Sequence, residues 1–453
     1  MKTIASVSAF GLLVLLSSSA FPADPTGPAY WPQWRGPSGQ GYCDDSRVPL
    51  EWSESKNLLW KTKLPGAGHS TPVIWSDHLF LTCAKDEGHE RMVVCVRTTD
   101  GNILWQRTAS QGGNPERIHG TSSYASPSCV IDGTCVYAFF GNAGLFCYDF
   151  DGKQIWHHNF GIFTSETKWG VGASPVLYED LVIQNCDNDG RSGLPKEGDR
   201  DPRTPGLLKA ADSEGIAPES LIALDKKTGK VRWQTPRNQG RGFSTPVLIP
   251  APDGRVDLVL NGPQGFWGYD PRTGKELWHV SRHPDEDNTK FGEPVPVFTQ
   301  TAFFAPAGRD GGYFQAVKLG GNGDVSKSNL LWEVRRKGTR DVGSGVLVGD
   351  YLIYGDGRGG YITCHDAKTG KLLYQERAAR KGEYFYASPI LIQGKVLLLR
   401  NDGDTFVLEP DMTFKVVREN VLKDGTVFCA SPAVADGRLF LRSQQYLYAI
   451  GTK

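Results

Sequence analysis

The 453-residue sequence has no excess of charge of either sign, because 50 lysines and arginines are balanced by 50 aspartates and glutamates. A neutral chain has no overall attraction to nucleic acid or to an acidic membrane, so a charged partner must meet a local patch. Beyond the first 20 residues, no run approaches the roughly 18 apolar residues of a membrane span. The sequence also lacks GxSxG, HExxH and Walker motifs, so the catalytic residues, if any, stay unassigned.

The first 20 residues predict an export signal. Lys2 provides the positive end, residues 4–16 provide an apolar run, and residues 17–20 are the small residues that a signal peptidase needs. We expect cleavage after Ala20, with Ala23 as the alternative, and a periplasmic or extracellular mature protein.

A tryptophan that follows a glycine-containing turn recurs along the chain. Glycine accepts the positive φ of a tight turn and tryptophan fits a half-buried pleated surface, so each phrase indicates a turn that enters a strand. The phrases DGNILW, DGKQIW, TGKVRW and TGKELW end at Trp105, Trp156, Trp233 and Trp278, and looser copies end at Trp60, Trp332 and Tyr374.

A second phrase, most often Ser-Pro or Thr-Pro before an apolar hairpin, precedes the tryptophan phrases. It defines eight units, which begin near Ser70, Ala125, Ala173, Ser244, Glu293, Gly343, Ala387 and Ala430. The last unit contains only three strands, and residues 57–63 offer the missing fourth. The sequence therefore predicts an all-β fold, an eight-bladed β-propeller over residues 57–453 closed by an amino-terminal strand, with residues 21–56 as a latch segment.

The strand between the two phrases contains a slot for small residues. We interpret its cysteines as compact buried side chains, because alanine and glycine fill the same position in other units. The slot holds Cys95, Cys147 and Cys364, as well as Ala223, Gly268 and Ala449. One disulfide among the six other cysteines, Cys43, Cys83, Cys129, Cys135, Cys186 and Cys429, stays an open alternative in an exported chain.

The repeats resemble the PQQ-like β-propeller repeat family, which includes quinoprotein alcohol dehydrogenases and the outer-membrane assembly scaffold BamB. The resemblance covers residues 60–453. In addition, WPQWRGPSGQG at residues 31–41 resembles the amino-terminal signature of a secreted bacterial branch of the family, with its WRGP motif. The resemblance implies that Trp31 and Trp34 lie across one face or rim of the ring, and direct ligand contact by Arg35 or a tryptophan is the alternative.

The resemblance to quinoprotein dehydrogenases implies PQQ stacked between a tryptophan and a ring of two adjacent cysteines, with Ca²⁺ held by Glu, Asn and Asp. This sequence has no adjacent pair of cysteines, and no catalytic position can be transferred. We therefore predict a noncatalytic binding or assembly scaffold without an assigned cofactor. A PQQ- and calcium-dependent dehydrogenase and a carbohydrate-binding or carbohydrate-active propeller are the alternatives, the latter compatible with 12 tryptophans and 16 tyrosines.

The links between units carry more basic than acidic residues, Arg237 among them. In a propeller these links emerge on one face, so we expect a monomeric domain whose mildly positive face binds a protein or a small anionic or carbohydrate ligand. That the links are merely polar is the alternative. The candidate binding residues are Trp169, Arg241, His69, His119 and Arg340.

The longest insertion, residues 186–220, begins with a pattern that is similar to half of a calcium loop. Asn185, Asp187 and Asp189 alternate as oxygen ligands before Gly190, which permits a sharp turn. A glutamate at the twelfth position is missing, because Lys196 stands there. A calcium site and an ordinary solvated turn are the two interpretations.

Overall fold

The structure is a computed structural model. It describes residues 30–113, 115–163, 169–187, 219–237, 239, 242–284, 292–306, 312–336, 343–380 and 382–452. The predicted export signal at residues 1–20 lies outside these ranges and stays a prediction. No helix in the described part of the chain is long and apolar enough to cross a membrane.

Eight antiparallel four-stranded sheets, whose strands are lettered A to D from the channel outwards, form the blades of a propeller. The strands of blades 1 to 4 are Val73–Trp75, His78–Lys85, Glu90–Arg97 and Ile103–Gln111; Val130–Ile131, Cys135–Phe139, Leu145–Asp149 and Gln154–His158; Val176–Tyr178, Leu181–Cys186, Ser220–Asp225 and Val231–Pro236; Val247–Pro250, Val256–Gly262, Gly265–Tyr269 and Glu276–Ser281. The A strands of blades 1 to 3, and those of blades 5 to 7, contact their neighbours along the channel.

The second half of the ring repeats this order. The strands of blades 5 to 8 are Val297–Phe298, Ala302–Pro306, Tyr313–Lys318 and Leu330–Arg335; Val346–Val348, Tyr351–Gly355, Tyr361–Asp366 and Leu372–Arg377; Ile390–Ile392, Lys395–Leu399, Thr405–Leu408 and Val416–Asn420; Ala433–Ala435, Arg438–Arg442, Tyr446–Ile450 and Leu58–Lys63. The predicted all-β, eight-bladed propeller is confirmed. In blade 8, Leu58–Lys63 is the D strand and pairs antiparallel with Tyr446–Ile450.

Three short strands extend blades beyond four strands, at the inner edges of blades 1 and 7 and the outer edge of blade 4. They are Tyr30–Trp31, Tyr42–Cys43 and Gly323–Asp324. Helical structure within the described residues is confined to two 3-10 turns, Asp86–Gly88 and Gly141–Ala143.

In seven of the eight blades the small slot of the C strand lies directly opposite the aromatic residue of the D strand, whereas in blade 7 Val407 lies opposite Arg418. The register pairs are Cys95 with Trp105, Cys147 with Trp156, Ala223 with Trp233, Gly268 with Trp278, Ala316 with Trp332, Cys364 with Tyr374 and Ala449 with Trp60. A Cβ on Gly268 would lie 2.2 Å from the Trp278 ring, so the slot is small because the indole fills it. All nine cysteines lie in the described ranges, none of them forms a disulfide, and the three slot cysteines are fully buried.

The same tryptophans join neighbouring blades. In five blades the indole Nε1 donates to a backbone carbonyl at the end of the next blade's C strand or just beyond it: Trp60 to Thr98 O, Trp105 to Phe150 O, Trp156 to Lys226 O, Trp233 to Pro271 O and Trp332 to Ala367 O, at 2.7 to 3.2 Å. We call this contact the indole staple. In blade 4 the indole of Trp278 instead donates to Asp257 Oδ2 of its own blade at 2.6 Å.

The glycine of each turn phrase lies against the indole that precedes it in the ring. Gly229, at φ +68°, would place a Cβ 2.7 Å from the Trp156 ring, and Gly101 and Gly370 stand in the same relation to Trp60 and Trp332. Thus the Gly-x-x-x-Trp phrase serves two interfaces, since its glycine receives the previous blade's indole and its tryptophan contacts the next blade.

Replacing Gly229 by alanine tests this packing. The substitution adds a left-handed backbone strain of about 1 kcal/mol and forces a Cβ against Trp156, which costs a further 1–3 kcal/mol or so. Gly394→Ala is the matched control, because Gly394 has φ +70° and nothing within 4 Å of its Cβ position. Chemical denaturation of both variants separates the two effects, and equal losses of stability would contradict the packing role.

Candidate functional site

Serine and threonine hydroxyls line the channel where the A strands begin. Each links its blade to the preceding one by accepting a backbone N–H. Within the described residues there are six such bonds, of 2.8 to 3.0 Å: Thr71 N to Ser128 Oγ, Ser128 N to Ser174 Oγ, Ser174 N to Thr245 Oγ1, Val295 N to Ser344 Oγ, Ser388 N to Ser431 Oγ, and Ser431 N to Thr71 Oγ1. We call the six accepting hydroxyls the hydroxyl belt. The blade 5 position is Val295, which has no hydroxyl.

The amino-terminal segment, residues 30–43, closes the other end of the channel, and we call it the plug. Tyr30–Trp31 pairs antiparallel with the A strand of blade 1, and Tyr42–Cys43 pairs parallel with that of blade 7. Between these strands the plug bonds to the far ends of A strands: Ile131 N donates to Pro32 O at 2.9 Å, Phe298 N to Gln40 Oε1 at 2.9 Å and Leu391 N to Gly41 O at 2.7 Å. All of these contacts lie away from the links, so among the described residues the plug closes the end of the channel opposite the links.

Arg35 anchors the plug to the channel wall. Its side chain is 1% exposed and donates only to carbonyls, among them Ser344 O at 3.0 Å and Gly345 O at 2.5 Å. Burial lowers the pKa of this guanidinium to about 9. No carboxylate among the described residues pairs with it. Trp31, 1% exposed, covers Gly36, where a Cβ would come within 2.9 Å of the indole ring.

Together the belt and the plug form a cup, a cavity of about 390 Å³. Trp34 of the plug lies at its floor, belt hydroxyls line its wall, and link residues form its rim. The other lining residues include His69, His119, Trp169, Glu293, Arg358, Tyr386 and Cys429. Glu293 is the one carboxylate in the described lining.

The structure brings three of the five predicted binding residues together at this cup. His69, His119 and Trp169 all line it, and the rings of His119 and Trp169 lie 4.1 Å apart between centroids. Arg241 and Arg340 lie outside the described residues. The binding roles of all five stay predictions.

A second buried arginine lies behind His69. Arg442, 0% exposed, donates from Nη1 to Ser70 O at 2.8 Å and from Nη2 to Thr82 O at 2.7 Å, while its Nε has no partner. Burial lowers its pKa, and no carboxylate among the described residues pairs with it. Burial and the nearby Arg442 charge lower the pKa of His69 to about 4, so His69 is neutral at pH 7.

The two described members of the calcium pattern are engaged with protein groups. Arg237 donates to both carboxylate oxygens of Asp187, at 2.7 and 3.0 Å, so this link arginine is buried rather than part of a basic surface. The Asn185 amide donates to Gly242 O at 3.1 Å. Because Asp189 lies outside the described residues, the calcium site stays a prediction that depends on residues beyond this pair.

Sequence reasoning missed the belt, Arg35 as a wall residue, and Arg442. A signal for the belt exists, since serine or threonine precedes the A strand in most units. In blade 2 the signal is displaced, because Ser128 rather than Ser126 occupies the belt position. The two arginines donate to backbone carbonyls, which leave no pattern in a sequence.

Four-stranded sheets around a channel define this chain as an eight-bladed β-propeller. A family model described as "Outer membrane protein assembly factor BamB" matches residues 45–184 and 216–314, more than half of the chain. The chain therefore belongs to this family of PQQ-like propellers.

Similar proteins agree with this assignment. Outer membrane protein assembly factor BamB of Burkholderia pseudomallei (strain K96243) is 24% identical over 399 residues, covering 81% of this chain and 93% of that protein. The crystal structure of BamB from Moraxella catarrhalis matches with a TM-score of 0.57 and 16% identity, covering 87% of this chain and 97% of that one. The computationally designed Ika8 protein matches with a TM-score of 0.55 and 11% identity, covering 87% and 100%. These structural likenesses show the fold alone.

The lowered pKa of His69 predicts a pH dependence of stability. Between about pH 6.5 and about pH 4, the unfolded chain binds a proton at this histidine that the folded chain does not. The free energy of unfolding should therefore fall as the pH falls through this window, and His69→Gln should reduce the slope. Urea denaturation across the window measures both. The residual slope of the variant belongs partly to His158 and His365, whose pKa values burial also lowers. An unchanged slope in His69→Gln would contradict the buried, neutral state of His69.

Proposed function

We propose that this protein is an exported binding scaffold, periplasmic or extracellular, that holds a partner or ligand at its link face without transforming it. The observation that carries the proposal is the cup itself, a channel sealed by the plug and open towards the links. Such a concave site, with hydroxyl and aromatic groups on a rigid frame, is suited to recognition. The assembly-factor name of a relative that aligns over 93% of its length, and that of the matching family model, support the scaffold role.

The dehydrogenase alternative requires residues that fit PQQ and calcium. Trp34 and Trp169 offer flat surfaces for a cofactor ring. Calcium needs several oxygen ligands, yet among the described residues no three His, Cys, Asp or Glu side chains converge, and Glu293 stands alone in the cup. The described residues therefore do not fit the calcium part of that cofactor pair, and the scaffold is the better supported function.

A thermal-shift titration with PQQ and Ca²⁺, separately and together, tests this choice. A ligand that binds only the folded state raises the apparent melting temperature by mass action. We expect no saturable shift that needs both, and no reduction of a dye when alcohols or sugars are added. A known quinoprotein is the positive control. A shift that requires both ligands, followed by alcohol-dependent dye reduction, would replace the scaffold with a dehydrogenase.

The scaffold role predicts a native complex. Size-exclusion chromatography of a gently solubilised envelope fraction should show the chain at a mass well above the 49.7 kDa of the full sequence, whereas the purified chain should elute as a monomer. If the chain in the native fraction elutes only as a monomer, assembly with a protein partner is wrong.

A further inference from the structure

The hydroxyl belt presents hydrogen-bond donors to the cup. A hydroxyl has one O–H donor and two acceptor lone pairs. In all six belt residues, Thr71, Ser128, Ser174, Thr245, Ser344 and Ser431, a lone pair already accepts a backbone N–H. None of these O–H groups donates to an acceptor among the described residues. The ring therefore offers several O–H donors at one level of a cavity, which suits a ligand rich in acceptors.

Two unpaired buried cations lie immediately behind this ring. Arg35 contacts the carbonyl of the belt residue Ser344, and Arg442 contacts the carbonyl of Ser70, the neighbour of Thr71. Both guanidiniums are almost fully buried, and within the described chain neither has a carboxylate partner. A buried charge without a counter-ion is costly, so an anion placed in the cup would be favoured by both.

Aromatic side chains form a further part of the cup's lining, which also includes the charged side chains of Arg358 and Glu293. Trp34 lies at the floor and Trp169 lies at the rim, where its ring is close to that of His119. Aromatic faces bury the apolar side of a ring-shaped ligand while leaving its polar edge free for hydrogen bonds. The cup of about 390 Å³ is at the small end of the range for ligand sites, which limits the ligand to one or two rings.

We propose that the cup binds an acidic monosaccharide, a sugar ring that carries a carboxylate. The carboxylate and neighbouring hydroxyls accept from the belt, in which Ser344 adjoins Arg35 and Thr71 adjoins the Ser70 that Arg442 contacts, and the sugar ring lies against the tryptophans. This inference rests on the proposed binding function and names its ligand class. A neutral sugar can stack on the tryptophans but brings no negative charge to the buried arginines. An inorganic anion brings the charge but has no ring that can stack on the tryptophans.

Isothermal titration calorimetry of the purified full chain with D-glucuronate, D-glucose and inorganic phosphate tests the ligand class. We expect saturable binding of glucuronate, with glucose and phosphate each at least about tenfold weaker. Glucose binding as tightly as glucuronate would overturn the role of the buried cations. Phosphate binding as tightly as glucuronate would show that the sugar ring contributes nothing to recognition, and would overturn the assignment of a sugar ligand. Binding of none of the three would overturn the proposal, whereas a native complex of high mass would leave the scaffold role standing.

The double variant Thr71→Val and Thr245→Val tests the belt, because it removes two O–H donors at nearly constant volume, together with the two inter-blade bonds that these hydroxyls accept. Val295 shows that this position accepts valine. We expect glucuronate affinity to fall at least about tenfold. The matched control is Thr405→Val, since Thr405 is buried in blade 7, outside the cup, and its hydroxyl has no partner. Equal binding by the belt variant and the control would contradict the proposal.

Trp169→Ala provides an independent test if the belt variant does not fold. Trp169 is only partly buried at the rim, so its truncation should leave the circular dichroism spectrum unchanged while weakening glucuronate binding. If the Trp169→Ala protein folds and binds glucuronate with the affinity of the parent protein, then Trp169 does not contribute to binding, and the aromatic part of the proposed site is wrong.

Discussion

The indole staple is the interaction on which the ring depends. Each blade is a small sheet that cannot bury its own faces, so stability must come from the interfaces between blades. At five of these interfaces a tryptophan donates to the next blade, and at several of them it also packs on that blade's turn glycine. The small slot opposite leaves room for the indole. The tryptophan, the turn glycine and the small slot residue of the repeat therefore all contribute to the same contact between blades. A change in any of them disturbs two blades at once.

The plug closes one end of the ring's channel and so makes the channel a cavity that can bind a ligand. A propeller channel is open at both ends unless something fills it, and here residues 30–43 bond to the far ends of the inner strands. The same segment supplies Trp34 to the floor and, through Arg35, a buried positive charge to the wall. The chain then continues to Leu58–Lys63, the outer strand of blade 8. Sealing of the channel and completion of the last blade therefore depend on one stretch of chain, which couples the site to the stability of the ring.

The sequence predicts the blades well, because each blade repeats the same local chemistry. The glycine before Trp156 or Trp233 and the small residue at Cys95 or Ala223 mark strands that recur in order. The site is harder to predict, because its contacts join distant positions. Arg35 reaches Ser344 across 309 residues and Arg442 reaches Ser70 across 372, in both cases through backbone carbonyls. Asp187 matched a calcium pattern in sequence, whereas its oxygens face Arg237, 50 residues away.

Hydrogen exchange of residues 30–43, followed by mass spectrometry of the full chain, tests the sealed cup most directly. Amides that are bonded within stable structure exchange only on opening of that structure. If the plug is seated, its peptides should exchange as slowly as the inner strands of blades 1 and 7 with which they pair. If these peptides exchange as fast as the exposed link at Gly113, the channel is open at both ends and the cup does not exist.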